Sequence, residues 1–257
     1  SGVGGIDPRF LPATPVVIHG KEDVSAIFVS TPPHLKKKKK EVKEVNEIYL
    51  DTGIRENLNQ KINPGDFCTF SKKSERLQSS EFMGKALDDR SAVACLIEVA
   101  SRVYDKDLPF NLIFAFCENE ELGMRGAKTS SFVLEADEAI AIDVSFGDAP
   151  DVPDVKSGKL GDGAMIGVSP VLDKKITNKL ISCAKDKNIP YQLEVTGGTT
   201  GTDADVISIS KGGIPCGLVS IPLRNMHTPC EIIDLKDINN LCDILEHYIL
   251  QGGAICD

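Results

Sequence analysis

The chain has 257 residues, 41% of them hydrophobic and 26% charged, with a net charge of −9 and a pI near 5.1. This length and composition indicate a globular protein of one large domain, or of one large and one small domain. The acidic balance argues against nucleic-acid binding, and no apolar run approaches the roughly 18 residues of a membrane helix. The first eight residues do not resemble a secretory signal, and the eight cysteines form no CxxC pair. We therefore expect free thiols and a cytoplasmic protein with no membrane partner.

Short β-like runs separated by turns occupy the first third of the chain. They lie at residues 15–18, 25–29, 47–50 and 66–70. This spacing predicts a small antiparallel barrel or sandwich. The lysine run at 36–40 is more typical of a solvated loop than of a binding patch.

After Gly84 the pattern changes to alternating helices and strands. Val93, Leu96, Ile97, Ala100 and Val103 recur with helical spacing and predict an amphipathic helix. The segments that follow predict strands at 111–117, 139–144, 191–195 and 216–221 and helices at 127–134, 175–186, 203–210 and 235–250. This alternation predicts an α/β layer architecture.

Five side chains that can bind metal or move protons lie beside these predicted elements, at strand ends or before a helix. They are Asp88, Glu120, Glu121, Asp143 and His227. In open α/β sheets, ligands bind where the carboxyl ends of the strands meet, so we expect these groups to share one cleft. Carboxylate oxygens and imidazole suit zinc, cobalt or manganese, and a carboxylate beside the ligands can act as a general base.

Each of these residues also has a structural interpretation. Asp88 and its neighbour Asp89 could stabilise the start of a helix through the macrodipole. Glu120 and Glu121 could begin a solvated helix, and His227 could be a hydrogen-bonded loop residue. Asp143 is harder to explain in this way, because a charge at the end of an apolar strand is costly to bury without a partner.

The glycine-rich segment at 197–203 has two possible interpretations. It lacks the Lys-Ser/Thr of a phosphate-binding loop and does not match GxGxxG. We expect a structural or substrate-side loop in which Asp203 caps the next helix.

Five motifs in order resemble those of the tetrahedral, glutamyl- or deblocking-type aminopeptidases, dinuclear metallopeptidases that are sometimes labelled endoglucanases. They are residues 84–90 (GKALDDR), 120–127 (EELGMRGA), 141–144 (AIDV), 201–204 (GTDA) and 221–229 (IPLRNMHTP). Residues 4–9 and 32–35 extend the likeness over essentially the whole chain. Nothing in these motifs supports the endoglucanase label.

The resemblance implies a fold, a site and an assembly. It implies a mixed-sheet, three-layer, zinc-peptidase-like catalytic domain at 83–257 and a small β-barrel domain at 1–82 that is inserted into it and used in assembly. Two divalent ions, zinc or cobalt, would be held with Asp88 as the bridge, Glu121 and His227 completing one site and Asp143 serving the other. Glu120 would be the general base. Dimers would assemble into a dodecamer acting on peptides.

One departure from the family pattern affects the expected activity. Family members carry a His-x-Asp motif in a segment before the equivalent of residues 4–9, whereas the chain as given begins at Ser1. We expect one nearly complete metal site, half of a second and weak or no peptidase activity for residues 1–257. The alternatives are a non-catalytic homologue that binds peptide and assembles, and a related metal-dependent deacylase.

Overall fold

Four antiparallel strands form the first sheet. They are β1 (Pro15–His19), β2 (Asp23–Val29), β3 (Tyr49–Asp51) and β4 (Phe67–Phe70), in the order β3-β2-β1-β4. The computed structural model describes residues 2–35, 42 and 44–254. Alternate residues of β1 and β2 point into a small core, because successive side chains of a strand face opposite sides. The predicted β-rich start is confirmed, but closure into a barrel is not observed among the described strands. The lysine run at 36–40 lies outside the described residues.

The remaining elements alternate between strands and helices. They are β5 (Glu75–Arg76), β6 (Glu81–Gly84), α1 (Leu87–Val103), α2 (Arg125–Leu134), β7 (Ala139–Phe146), β8 (Ala164–Val168), α3 (Lys174–Asp186), β9 (Tyr191–Val195), α4 (Ala204–Ile207), β10 (Cys216–Leu223), β11 (Glu231–Asp234) and α5 (Leu235–Leu250). This is the mixed α/β fold that the alternating pattern predicts.

The second sheet is mixed and has the order β7-β10-β8-β9. β10 runs parallel to β7 and antiparallel to β8, and every residue of β10 is buried. Helices α1, α3 and α5 contribute to the main core on one face, whereas Ala204 of α4 packs with Ala141 and Leu218 on the other. A strand covered on both faces reads as a continuous apolar run, which is why β10 could be predicted from sequence.

A third sheet joins the two ends of the α/β part. Its order is β11-β6-β5, and Glu231 at the start of β11 pairs with Gly84 at the end of β6. Because α1 begins just after β6, this pairing brings the loop before β11 to the N-terminus of α1.

Two predictions in this part of the chain are wrong. Residues 111–117 form no strand with any described segment. Leu112 and Phe114 pack against the core while Ile113 and Phe116 are exposed, so the side chains alternate without a backbone partner. The helix predicted from Val93, Leu96, Ile97, Ala100 and Val103 is present as α1, but its buried face is misplaced: Ala92, Cys95 and Val99 are buried beside Val103, whereas Val93 and Ile97 are 39% and 58% exposed. The helix presents the neighbouring face to α5 and the sheet.

Two predictions that follow from composition can be compared with the described residues. No disulfide joins any two of the seven cysteines in the described ranges, of which four are buried and Cys68 is exposed. The longest described helix, α1, has 17 residues, and none of the described helices combines the length and apolar character needed to cross a bilayer.

Candidate metal centre

The N-terminus of α1 presents Asp88 and Asp89. Both residues have non-helical dihedral angles, and the regular turns of α1 follow them. The Asp88 side chain is only 11% exposed. Burial and the nearby charge of Glu121 raise the pKa of Asp88, while His227 acts in the opposite direction. A cation bound at Asp88 would therefore offset the free-energy cost of burying this carboxylate.

A tight turn presents the two glutamates. Glu120 and Glu121 lie in a short 3-10 helix flanked by Asn119 and Gly123, both in the left-handed region. Gly126 packs so closely on the backbone of Glu118 that a side chain there would collide with it. The turn thus requires glycine at 126, because the backbone of Glu118 comes too close to leave room for a side chain there.

His227 reaches the site from the loop between β10 and β11. Its φ is +62°, and its backbone N–H donates to Oε1 of Glu231 at 2.8 Å. The N-terminal segment lies behind the ring, because a Cβ on Gly5 would collide with Nδ1 and would lie 2.7 Å from Cε1 of His227. Gly4 lies in the same way against Glu121, where an added Cβ would be 3.0 Å from the glutamate Cβ.

Three of the five predicted residues come together. Ligand atoms of Asp88, Glu121 and His227 all lie within 4.8 Å of one another. His227 Nε2 is 3.2 Å from Asp88 Oδ2 and 3.4 Å from Glu121 Oε1. Two carboxylates and one imidazole that converge on one point fit the ligand chemistry of zinc and of similar divalent ions.

Asp143 and Glu120 lie close to this group without belonging to it. Asp143 is opposite Ser220 in the sheet, and one of its oxygens accepts the Val144 N–H at 2.7 Å. Burial raises its pKa to about 8, with further contributions from Asp88 and Glu120. Burial likewise raises the pKa of Glu120 to about 7, and its neighbour Glu121 raises it further. The negative charge of the ligand residues therefore raises the pKa of both carboxyl groups: Asp88 acts on Asp143, and Glu121 and Asp88 act on Glu120.

Two further acidic residues surround the group, and sequence reasoning gave neither of them a place in it. Burial, followed by the charge of Asp143, raises the pKa of Asp89 to about 9. Asp203 contributes to the raised pKa values of Glu120 and Asp143, and its Oδ1 is buried without a hydrogen-bond partner among the described residues. Asp203 occupies the predicted N-cap position of α4, but its side chain makes no capping hydrogen bond. An unpartnered buried oxygen in an acidic cluster fits a site that accepts cations.

Glu231 and the Gly4–Gly5 pair are further site features that sequence reasoning missed. Glu231 is 2% exposed and accepts N–H groups from both ligand-bearing segments. A usable signal was present, since Glu231 directly precedes Ile232 and Ile233 and charged residues are seldom fully buried without a role. The two glycines had no such signal, because their importance depends on which residues pack against them.

Comparison with known proteins identifies related sequences along most of the chain. A family model described as M42 glutamyl aminopeptidase matches residues 1–244. A putative aminopeptidase of Acetivibrio thermocellus is 36% identical over 212 residues, which is 80% of this chain and 63% of the relative. A lysyl aminopeptidase of Pyrococcus furiosus is 29% identical over 245 residues, which is 93% of this chain and 70% of the relative. The chain therefore spans only part of the length of these proteins.

Solved structures resemble the fold closely. An aminopeptidase of the archaeon Desulfurococcus kamchatkensis superposes with a TM-score of 0.84 at 30% identity, covering 96% of this chain and 71% of its own. The TET1 peptidase of Pyrococcus horikoshii, described as able to assemble into a tetrahedron or a large octahedral shell, gives a TM-score of 0.83 at 31% identity, covering 96% of this chain and 74% of its own.

Proposed function

Because the chain belongs to the M42 glutamyl aminopeptidase family, we propose that it is part of a metal-dependent enzyme that removes N-terminal residues from peptides. The observation that carries this proposal is the convergence of Asp88, Glu121 and His227 from three separate segments, with Glu120 beside them. A set of two carboxylates and one imidazole has an evident use in metal-dependent hydrolysis, where a neighbouring carboxylate can serve as the base.

The proposed ligands divide between two ions. Asp88, Glu121 and His227 would hold one divalent cation, zinc or cobalt, and Asp88 would share a second with Asp143. When bound, such ions polarise a carbonyl group and lower the pKa of water. The raised pKa values of Asp88 and Asp143 support this assignment, because nearby positive charge would stabilise both carboxylates.

Glu120 is the proposed general base. Its carboxyl group lies next to Glu121 in sequence and has a pKa of about 7. Burial is the main cause of this raised pKa, and the charge of Glu121 is the second. A base with a pKa near the working pH can take a proton and return it to the leaving amine. The surrounding carboxylates, including Asp89 and Asp203, would also favour the cationic α-amine of a peptide substrate.

We further propose a division of labour between the two parts of the chain. Residues 83–257 would form the catalytic domain, with Gly4, Gly5, β5 and β6 packed against it, whereas the rest of residues 1–82, with the sheet β1–β4, would form an inserted, barrel-like domain used in assembly. The P. horikoshii relative can assemble into a tetrahedron or a large octahedral shell, and we propose that this protein likewise forms a homo-oligomer, a dodecamer built from dimers. The proposed location is the cytoplasm.

The amount of activity in residues 1–257 alone stays a prediction. Since the chain spans 63% of the A. thermocellus relative, the activity, substrates and partners of the whole protein are proposals. The expectation from sequence is weak or no hydrolysis by this portion. Comparison with a version extended at its N-terminus is the direct measurement, and equal rates would contradict the expectation.

A panel of chromogenic substrates tests the proposed function. The substrates are aminoacyl-nitroanilides with a free α-amine and their N-acetylated counterparts. Two forms of the protein would be assayed, residues 1–257 and the longest form produced naturally, each metal-free and loaded with zinc or cobalt. We expect the metal-loaded long form to hydrolyse the free-amine set. Preference for the acetylated set would indicate a deacylase, and absence of hydrolysis in the metal-loaded long form would indicate a non-catalytic homologue.

A further inference from the structure

The carboxylate of Glu231 connects the two chain segments that present Asp88 and His227. Oε2 accepts the backbone N–H groups of Leu87 at 2.6 Å and of Asp88 at 3.1 Å. Oε1 accepts the backbone N–H of His227 at 2.8 Å. One side chain therefore bonds to the main chain on both sides of the group of ligands.

These bonds constrain backbone position rather than side-chain rotation. All three donors are main-chain N–H groups, so the carboxylate determines where the Cα atoms of Asp88 and His227 lie. His227 has a positive φ and Asp88, at the start of α1, has non-helical angles, so neither residue has regular helix or strand geometry. Irregular backbone of this kind holds its position only when neighbouring groups determine it.

The energetics of Glu231 also indicate a purpose beyond packing. The residue is 2% exposed, and no ion pair to it occurs in the described parts of the chain. A buried carboxylate without a cation is costly, and three charge-assisted hydrogen bonds offset that cost. An apolar residue would fill the same space more cheaply, but it would leave one buried and two partly buried N–H groups without acceptors.

We propose that Glu231 is a positioning residue that sets the separation of Asp88 and His227 for the bound cation. The inference rests on the proposed function, because it assumes that these two residues are metal ligands. Glu231 lies behind their backbones and acts on the cation only through them. Partners of metal ligands in this outer position are typically worth about 10- to 100-fold in metal affinity.

Glutamine is the informative replacement. It keeps the size of the side chain and one acceptor oxygen, but its NH₂ group would face at least one of the backbone N–H donors. One of the two segments would therefore lose its acceptor. Aspartate is the second variant, since it keeps the charge on a side chain one methylene shorter, which weakens its reach to both segments.

Asp237 supplies a matched control. It is also fully buried, and its two oxygens accept the backbone N–H groups of Gly161 and Gly163, each at 2.8 Å. Neither glycine belongs to the proposed site. The D237N variant therefore removes a buried carboxylate that bonds to backbone without touching the ligand-bearing segments.

The test compares wild type, E231Q, E231D and D237N in three measurements. These are zinc affinity by competition with a chromogenic chelator, the visible absorption spectrum of the cobalt-loaded protein, and thermal unfolding of the metal-free protein. We expect zinc binding at least about 10-fold weaker in both Glu231 variants, with an altered cobalt spectrum. D237N should lose stability and keep the wild-type affinity and spectrum.

Other results would overturn the inference. Wild-type affinity and spectrum in E231Q and E231D would do so, as would equal loss of affinity in D237N. Failure of both Glu231 variants to fold while D237N folds would assign Glu231 to folding instead. Absence of zinc and cobalt binding in the wild type would contradict the proposed function itself, so the two failures are distinguishable.

Discussion

Nε2 of His227 lies 3.2 Å from Oδ2 of Asp88, although the two residues come from opposite ends of the α/β part of the chain. The pairing of β6 with β11 explains this proximity, because it places the loop that carries His227 beside the start of α1. A carboxylate and an imidazole at this distance, with Glu121 as a third member, form the group on which the proposed function depends.

Loss of the His227 imidazole should weaken metal binding more than any change outside the group. For H227A we expect an affinity for zinc at least about 100-fold below that of wild type, because even outer partners of metal ligands contribute about 10- to 100-fold. H247A is the control, since His247 lies on α5 and bonds to Gln251. Calorimetric titration of the metal-free proteins makes the comparison. Equal affinities in H227A and wild type would remove His227 from the ligand set.

A single methyl group on Gly5 should disturb the same imidazole from behind. The added Cβ of G5A would collide with Nδ1 of His227, so the ring must shift from its position relative to Asp88 and Glu121. We expect G5A to bind zinc about 10-fold more weakly, an effect like that of changing an outer partner of a ligand. The control is G212A, because an added Cβ at Gly212 has open space around it. A G5A protein with wild-type affinity would show that residues 4–5 do not support the site.

The stability of the metal-free protein should fall as the pH rises towards 8. The carboxyl group of Asp143 has a pKa of about 8 in the folded protein, raised from 3.8 mainly by burial. Between these two values the folded state binds more protons than the unfolded state, so the free energy of unfolding decreases with increasing pH. For one carboxyl group this decrease is at most about 1.4 kcal/mol per pH unit.

The D143N variant isolates this contribution. It keeps an oxygen that can accept the Val144 N–H and removes the charge, so D143N should be more stable than wild type at pH 8 and should lose less stability between pH 4 and pH 8. Thermal unfolding with a chelator present measures both. D237N should change the pH dependence only up to about pH 6, because that is the pKa of Asp237, raised mainly by burial. Parallel wild-type and D143N curves would show that Asp143 ionises without cost.

Replacement of the proposed base should separate metal binding from hydrolysis. In the form of the protein that hydrolyses aminoacyl-nitroanilides, E120Q should keep its metal and lose at least about 100-fold in rate, which is the usual contribution of a general base. E118Q is the control, since Glu118 is exposed just before the same turn. Loss of metal from E120Q would place Glu120 among the ligands and contradict its assignment as the base.

Elements that carry their own pattern could be predicted from sequence. The helix predicted at 235–250 and the β-like runs predicted at 15–18 and 25–29 appear where they were expected, because one face of each is buried. Residues 111–117 show the limit of this reasoning. Their side chains alternate between core and solvent, but a strand also needs a backbone partner, and the local sequence does not contain that information.

The candidate metal ligands could be predicted from sequence, but the residues that surround and position them could not. Asp88, Glu121 and His227 could be selected because their residue types and places beside predicted elements suggested a shared cleft. Asp203 was predicted only as a helix cap, because the residues whose charge it affects, Glu120 and Asp143, are distant in sequence. Glu231 was missed because two of its three hydrogen bonds go to Leu87 and Asp88, which lie 144 and 143 residues away in the chain.

Diffraction at the zinc absorption edge from crystals grown with zinc tests the central claim most directly. We expect an anomalous difference peak with Asp88, Glu121 and His227 as ligands, at about 2.0 to 2.2 Å from their nitrogen and oxygen atoms. Zinc held elsewhere with this group empty, or no ordered zinc at all, would contradict the assignment of these residues as a metal centre.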